Sequence, residues 1–350
     1  MKTSIRKLLS WYDKNRRILP WREDPSPYHV WISEIMLQQT RVEAVKPYYE
    51  RFLEALPDIA ALAAVPDDAL MKLWQGLGYY SRARNLKRAA QIVLAEYGGE
   101  LPSDPESLEK LPGIGCYTAG AVASIAYGRC CPAVDGNALR IYTRMHADPD
   151  DIGKEQTKRR IRDAIAAVLP REPFAAGRVN QALMDLGATV CLPTGLPKCA
   201  ECPWKSLCQA HLRRCETEFP RSAPKKARRI EERTILLIED ADRILIRRRP
   251  DRGLLAGLYE LPGLEGHRTE NEVLTWCRAQ GIEPIRMTPI PPAKHVFTHI
   301  EWHMTGMRIR VDGFENLFPE TIGGILVNKE EIATRYSIPS AFSNYILYIM

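Results

Sequence analysis

The stretch LPGIGCYTAGAVASIAYGRCCPAVDGN, from Leu111 to Asn137, decides the fold of this chain. Pro112, Gly113 and Gly115 form a tight turn between a short helical run ending at Leu111 and a small-residue helix that starts near Tyr117. Such a turn aims backbone N–H groups outward at a helix start, so Gly113 and Gly115 would let a phosphate oxygen approach the chain. Twenty residues past Gly115 stands Asp135, in Val-Asp-Gly-Asn, just ahead of another helical run. A turn of this kind alone merely joins two helices. Its neighbours along the chain give it meaning.

Upstream and downstream of the turn, the first 210 residues read as helices. Helical spacing or composition marks residues 28–49, 67–73, 83–97, 107–110, 118–127, 138–146, 157–169 and 178–187. Ser26 before Pro27, and Ser103 with Asp104-Pro105, supply helix starts, while Gly98 and Gly128 stand where helices stop. The character changes after Cys208. Residues 219–232 hold two prolines and the basic group Lys225, Lys226, Arg228 and Arg229, with little to bury, and read as linker. Beyond it, 234–238 and 243–247 are β-like runs around a hairpin signal. Residues 296–311 alternate with Ile300, Trp302 and Met304 on one face, and a short helix near 271–279 completes an α+β domain. The expected organisation is a helical domain over 1–212, a linker over 213–232 and a smaller α+β domain over 233–350.

At 350 residues two domains are expected, and 49 Lys+Arg against 43 Asp+Glu give a net charge of +6, which permits nucleic-acid binding without proving it. No run is long and apolar enough for a membrane span. The first twenty residues are basic but lack an apolar signal core, which points to a cytoplasmic protein. Of nine cysteines, Cys191, Cys199, Cys202 and Cys208 crowd together with C-x7-C-x2-C-x5-C spacing. Four thiolates in so short a segment suit zinc or an iron–sulfur cluster, and spacing alone does not separate the two.

Two carboxyl groups stand in contrasting settings. Glu34 in YHVWISEIMLQQTRV has Val30 and Trp31 one turn before it and Leu37 and Gln38 one turn after, so it sits on an apolar stripe. Desolvation there favours the protonated form. Asp135 precedes a helix, where backbone N–H groups and the positive helix end favour the ionised form. An acid beside an anion is the arrangement that cleaves glycosidic bonds. Each feature also has a plainer reading, a rim glutamate paired with Arg22 or Arg41 and an aspartate that only caps a helix.

In this order WISEIMLQQT, GLGYYSRARNL, LPGIGCYTAGA, VDGN and the cysteine group resemble the MutY-type adenine DNA glycosylases of the helix-hairpin-helix base-excision repair superfamily. The likeness is dense over residues 15–210 and looser beyond. It implies a mainly α catalytic domain with an iron–sulfur loop and a Nudix-like α+β C-terminal domain. It also implies a [4Fe-4S] cluster on Cys191, Cys199, Cys202 and Cys208, although the commonest family spacing has one residue fewer in the loop after Cys191. The implied substrate is double-stranded DNA carrying adenine opposite 8-oxoguanine or guanine, acted on by a monomer. Carried over, Glu34 would protonate adenine and Asp135 would stabilise or trap the cationic sugar, with Asn137 and Tyr117 orienting both. Arg22 and Gln181 would line the adenine pocket. Gln38, Gln39 and Tyr79 would fill or wedge the space that an unstacked base leaves. Phe297-Thr298-His299 would match the family's Phe-Ser-His tip that probes the oxidised guanine, with Thr298 in place of serine.

The family's lyase relatives of the endonuclease III type carry a lysine at the seventh residue of this turn motif. Tyr117 stands there instead, which implies a monofunctional glycosylase. No R-E-x-x-E-E carboxylate set follows Gly263, so the Nudix-like domain would read rather than hydrolyse. An endonuclease III-like glycosylase/lyase for oxidised pyrimidines and a non-catalytic lesion-binding protein are the alternatives.

Overall fold

The computed structural model describes residues 2–224, 227–314 and 324–349. Lys225 and Lys226 of the basic linker group lie outside the described residues. Two compact units emerge, one of residues 1–65 and 84–224, the other of 66–83 and 225–350.

The first unit is helical. Its elements are α1 (Lys2–Asn15), α2 (Pro20–Glu23), α3 (Pro27–Leu37), α4 (Val42–Ala55) and α5 (Ile59–Ala64). After α6 (Asp67–Leu73), which belongs to the second unit, come α7 (Ser81–Glu96), α8 (Pro105–Leu108), α9 (Cys116–Ile125), α10 (Gly136–His146), α11 (Glu155–Ala166), α12 (Ala175–Thr189) and α13 (Gln209–Leu212). Ser26 caps α3 by accepting from the His29 amide. At α8 the cap is Asp104, which accepts from the Ser107 amide, rather than Ser103. One core joins Leu8 and Tyr12 of α1, Leu139 and Ile141 of α10, Ile161 of α11, and Val179, Leu183 and Leu186 of α12. Helix α1 escapes a reading by composition because its basic residues mask a buried face carrying Leu8 and Tyr12.

The continuous helix expected over 28–49 is two helices. They break at Gln38–Arg41, with Gln39 in the left-handed region at φ 59°. Neither glycine nor proline marks this break, and the apolar spacing runs on through it, so the sequence hides it. Helix α3 also differs from a half-exposed stripe: Val30 through Met36 are all buried, Glu34 among them. The decisive turn is as expected, with Gly113 at φ 80° against the Asn85 side chain and Gly115 as the N-cap of α9.

The second unit is a seven-stranded sheet with helices on both faces. Its strands are β1 (Arg229–Glu239), β2 (Arg243–Arg248), β3 (Tyr259–Glu260), β4 (Gly263–Glu265), β5 (Arg286–Val296), β6 (Ile300–Arg310) and β7 (Gly324–Asn328). The order is β3-β2-β1-β6-β5, with β4 on β1 and β7 on β2. Strands β1 and β6 run parallel, and the other pairs are antiparallel. Ile235 and Leu237 face one core with Trp302, Phe342 and Tyr345, whereas Leu236 and Ile238 face another with Val273 and Cys277 of α14 (Glu270–Ala279). Burial on both faces explains why Ile235–Ile238 reads as an unbroken apolar run. A capping box of Thr269 and Glu272 starts α14, and another of Asn328 and Glu331 starts α15 (Lys329–Thr334). Helix α16 (Ser343–Ile346) brings Tyr345 against Gly306 of β6, where a Cβ would come within 2.4 Å of its ring.

Two features differ from the expected ranges. The linker expected over 213–232 is strand from Arg229 onward, because residues 229–232 pair in register with 300–303. Residues 66–83 pack with the sheet unit through side-chain hydrogen bonds. Lys72 Nζ donates to the carbonyls of Ile332 and Tyr336, Gln75 Nε2 to that of Ile338, and Ser337 Oγ to that of Met71.

Candidate active site

Helices α3, α9, α10 and α12, with the segment 17–22, enclose a cavity of about 240 Å³. Of the expected site residues, Arg22, Glu34, Tyr117, Asp135, Asn137 and Gln181 line it. The other candidates lie elsewhere. Gln38 and Gln39 form the break between α3 and α4, where Gln38 Nε2 is 3.5 Å from Thr118 Oγ1. Gly113 and Gly115 are in the turn before α9. Tyr79, Phe297, Thr298 and His299 belong to the second unit.

Glu34 is 5% exposed and accepts a hydrogen bond from Tyr117 Oη at 2.6 Å. Burial pushes its carboxyl up to about 7, against the hydrogen bond from Tyr117, with the nearby Asp135 charge adding to the rise. Glu34 is therefore poised to hold and give a proton near neutrality. The same burial raises the Tyr117 phenol well above its usual value, so Tyr117 stays a donor.

Asp135 caps α10, accepting from the Ala138 amide at 2.8 Å and from Asn137 Nδ2 at 2.6 Å. Its position favours the anion, yet burial outweighs these bonds and its carboxyl is raised rather than lowered. The expectation of an unopposed, stabilised carboxylate is corrected to that extent. Asp135 has two donors and the positive Arg140 nearby, whereas Glu34 has the Tyr117 hydroxyl and the more distant charge of Arg22.

Sequence reading missed the residues behind these groups. Arg22 feels the charge of Glu34 but gives its hydrogen bonds elsewhere. Its Nη1 and Nη2 donate to Asp185 at 2.8 and 3.0 Å, and Arg17 Nε donates to the same carboxylate at 2.7 Å. Asp185 has no exposed surface, and the two guanidinium groups hold its carboxyl below the usual range despite its burial. Tyr12 Oη donates to Gln181 Oε1 at 3.2 Å, which turns the Gln181 amide nitrogen away from Tyr12. Arg140 Nη2 donates to Asn137 Oδ1 at 2.7 Å and to the Gly187 carbonyl, fixing the amide that in turn donates to Asp135. Gln181 and Asp185 are one turn apart on α12, a spacing that could have flagged Asp185.

The four clustered cysteines line a separate small void with Arg144 and Trp204. All nine cysteines are free thiols. Arg140 Nε donates to the Cys191 carbonyl at 2.9 Å, and Arg144 Nη1 lies 3.3 Å from Cys191 Sγ. Burial pushes the Cys199 thiol up to about 12 and Cys202 up to about 11, so metal binding here must release protons. Four converging soft donors, with cationic Arg144 against one sulfur, fit a thiolate-bound metal group. His211, Glu216 and Cys199 also draw close, with His211 Nδ1 2.6 Å from Glu216 Oε1.

In the second unit, the loop Gly76-Leu77-Gly78-Tyr79-Tyr80 is tied to its flanks by hydrogen bonds. Trp74 Nε1 and Arg82 Nη2 donate to the Gly78 carbonyl, and Arg82 also reaches that of Leu77. Tyr79 takes φ 47° and is 46% exposed, and its hydroxyl is 2.9 Å from Thr298 Oγ1. Phe297-Thr298-His299 is the turn joining β5 to β6 rather than part of the strand.

Residues 32–167 match the HhH-GPD superfamily base excision DNA repair protein family, and residues 233–348 match the NUDIX domain family. The adenine DNA glycosylase of Mus musculus is 36% identical over 356 residues, covering 84% of this chain and 68% of that protein. That of Buchnera aphidicola subsp. Baizongia pistaciae is 32% identical over 309 residues, covering 87% of this chain and 85% of that protein. A solved structure of a thermostable thymine-DNA glycosylase superposes with a TM-score of 0.53 at 28% identity, over 61% of this chain and 96% of that one. With a helical repair domain, a Nudix-like sheet domain and relatives of one name that share most of its length, the chain belongs to the adenine DNA glycosylase family, enzymes that cleave the N-glycosidic bond of adenine in DNA.

Proposed function

We propose that this protein releases adenine paired with 8-oxoguanine, or with guanine, from duplex DNA and leaves an intact abasic site. The observation that carries the reading is a buried, protonatable Glu34 and a capped Asp135 lining one cavity. The target base is hidden in the helix, so it must be unstacked and turned outward to enter. Glu34 donates its proton to a ring nitrogen of adenine. The bond to the sugar then breaks with its electron pair passing to the neutralised base, and Asp135 stabilises the cationic sugar. Water adds to that carbon and its proton returns to the Glu34 carboxylate. Tyr117 and Asn137 hold the two carboxyl groups in place, and Arg22 and Gln181 meet the base. Tyr117 offers no amine for a Schiff base, which supports hydrolysis without strand cleavage.

Helix α9 has no side-chain cap, which leaves its first-turn amides beside Gly113 and Gly115 suited to a DNA phosphate. Gln38, Gln39 and Tyr79 are assigned to the space around the lesion, and Phe297, Thr298 and His299 to the oxidised guanine. Cys191, Cys199, Cys202 and Cys208 are assigned to a [4Fe-4S] cluster, which would supply a four-point cross-link to a loop with little core of its own. Iron and sulfide content of the purified protein tests that assignment, and zinc in their place would overturn it. The protein is read as a monomer acting on cytoplasmic DNA, and its mass in solution tests the first point.

The deciding experiment is single-turnover adenine release from duplexes with adenine opposite 8-oxoguanine, guanine or thymine, with and without alkali. Fast release from the first, slower release from the second, none from the third and strand breaks only after alkali are expected. Release from none of them by cluster-loaded protein would overturn the reading, and breaks without alkali would overturn its hydrolytic part.

A further inference from the structure

The segment after Pro224 reads in sequence as a solvated basic linker, yet its end closes directly on the turn that joins β5 to β6. Arg228 Nε donates to the Phe297 carbonyl at 3.1 Å, and the Arg229 amide donates to the His299 carbonyl at 3.1 Å. The turn is closed on itself by the Phe297 amide, which donates to the Ile300 carbonyl at 2.8 Å. Strand β1 starts at this point, with Arg229 opposite Ile300 in parallel register. Two residues on, Glu231 Oε2 accepts from Trp302 Nε1 at 2.9 Å, and Glu231 also pairs with Arg229 and Arg233. Trp302 is the fully buried ring on which Phe297 stacks edge-on at 4.9 Å. The same short segment thus holds the turn from its backbone and from beneath its aromatic residue.

We propose that Arg228–Glu231 is a positioning strap that fixes the Phe297-Thr298-His299 turn in the conformation that reads the base opposite adenine. This rests on the proposed reader role of that turn. None of the strap residues needs to touch DNA. A three-residue turn with two carbonyls satisfied by a neighbouring strand has few alternative shapes, so Thr298 Oγ1 and the Phe297 ring are pre-set before DNA arrives. The guanidinium is needed for its geometry, since it is Nε, set back from the end of the side chain, that reaches the carbonyl. A lysine would keep the charge but not this bond.

The test is the ratio of single-turnover adenine release opposite 8-oxoguanine to that opposite guanine, measured on full-length cluster-loaded protein. Arg228 is exposed, so Arg228→Ala and Arg228→Lys should fold, and a melting curve checks this. Both variants are expected to lower the ratio about three- to tenfold, the net scale of one hydrogen bond, chiefly through the 8-oxoguanine duplex. Glu231→Gln is expected to lower it less, since the amide oxygen can still accept from Trp302. If Arg228→Lys keeps the parental ratio while Arg228→Ala slows both duplexes equally, Arg228 is a phosphate contact and the strap is wrong. Phe297→Ala and Thr298→Ala separate the two ideas. If they leave the ratio unchanged, the reader role itself fails. If they reduce it while both Arg228 variants do not, the reader stands and only the strap fails.

Discussion

Glu34 keeps a proton near neutrality because α3 is buried on every side and Tyr117 supplies only one hydrogen bond to the carboxylate. With the folded value raised to about 7, the active acid form is lost as pH rises through that region, and adenine release should fall with it. Tyr117→Phe removes the bond that favours the charged form, so the falling limb of the pH–rate profile should move to higher pH. A limb that stays in place would mean that another group titrates there. The same shift acts on stability. A carboxyl group raised in the folded state stabilises fully below its unfolded value, and that stabilisation is lost as pH rises through about 7. Glu34→Gln should therefore gain about 1–3 kcal/mol above pH 7, seen as a higher melting temperature, while losing roughly 10²- to 10⁴-fold in adenine release. Asp185 presents the opposite case. Asp185→Asn leaves Arg17 and Arg22 facing each other without a counter-charge, and urea unfolding should show a loss of about 2–4 kcal/mol, moderated because Arg17 still meets water.

At the scale of elements, α12 is the packing standard for the site. A side chain at Gly177 would come within 2.4 Å of the Ser124 carbonyl on α9, and one at Gly187 within 2.5 Å of Asn137 on α10. Both contacts require glycine because backbone meets a neighbouring helix with no space between. Gly187→Ala would displace the Asn137 side chain that donates to Asp135. We expect a ten- to hundredfold slower single-turnover rate with the metal content of the purified protein unchanged, since shifts near 1 Å at a reacting group have effects of this size. A rate within twofold of the parent would show that α10 yields without moving Asp135. Helix α10 carries Asp135 as its cap and Asn137, Arg140 and Arg144 along its length, so one element aligns this carboxyl group, its amide partner and the arginines that reach Cys191.

For the molecule as a whole, residues 66–83 belong with the sheet unit although helical sequence surrounds them. Lys72 makes two of the ties, donating to two carbonyls of the segment 332–336. Lys72→Ala should speed amide hydrogen exchange across 66–83 by an amount equal to about 1–2 kcal/mol, with the core of the helical unit unchanged. Equal effects in both units would argue against this division. Such grouping follows from contacts far apart in the chain, which local pattern does not encode. What the sequence determined by itself is local: the Pro112–Gly115 turn, the cysteine spacing, most helices of the first unit and the paired runs of β1 and β2. These depend on turn stereochemistry, side-chain period and ligand spacing over a few residues. The break at Gln38–Arg41 was illegible because no glycine or proline marks it, and the start of β1 at Arg229 because charge hides strand residues that pair only with a distant partner. Only the tertiary structure joined Tyr117 to Glu34 across 83 residues, Asp185 to Arg22 across 163 and Arg228 to Phe297 across 69. Each is a polar pair whose partners become neighbours only once separate elements pack, and at Glu34 and Asp185 burial then makes the bond obligatory.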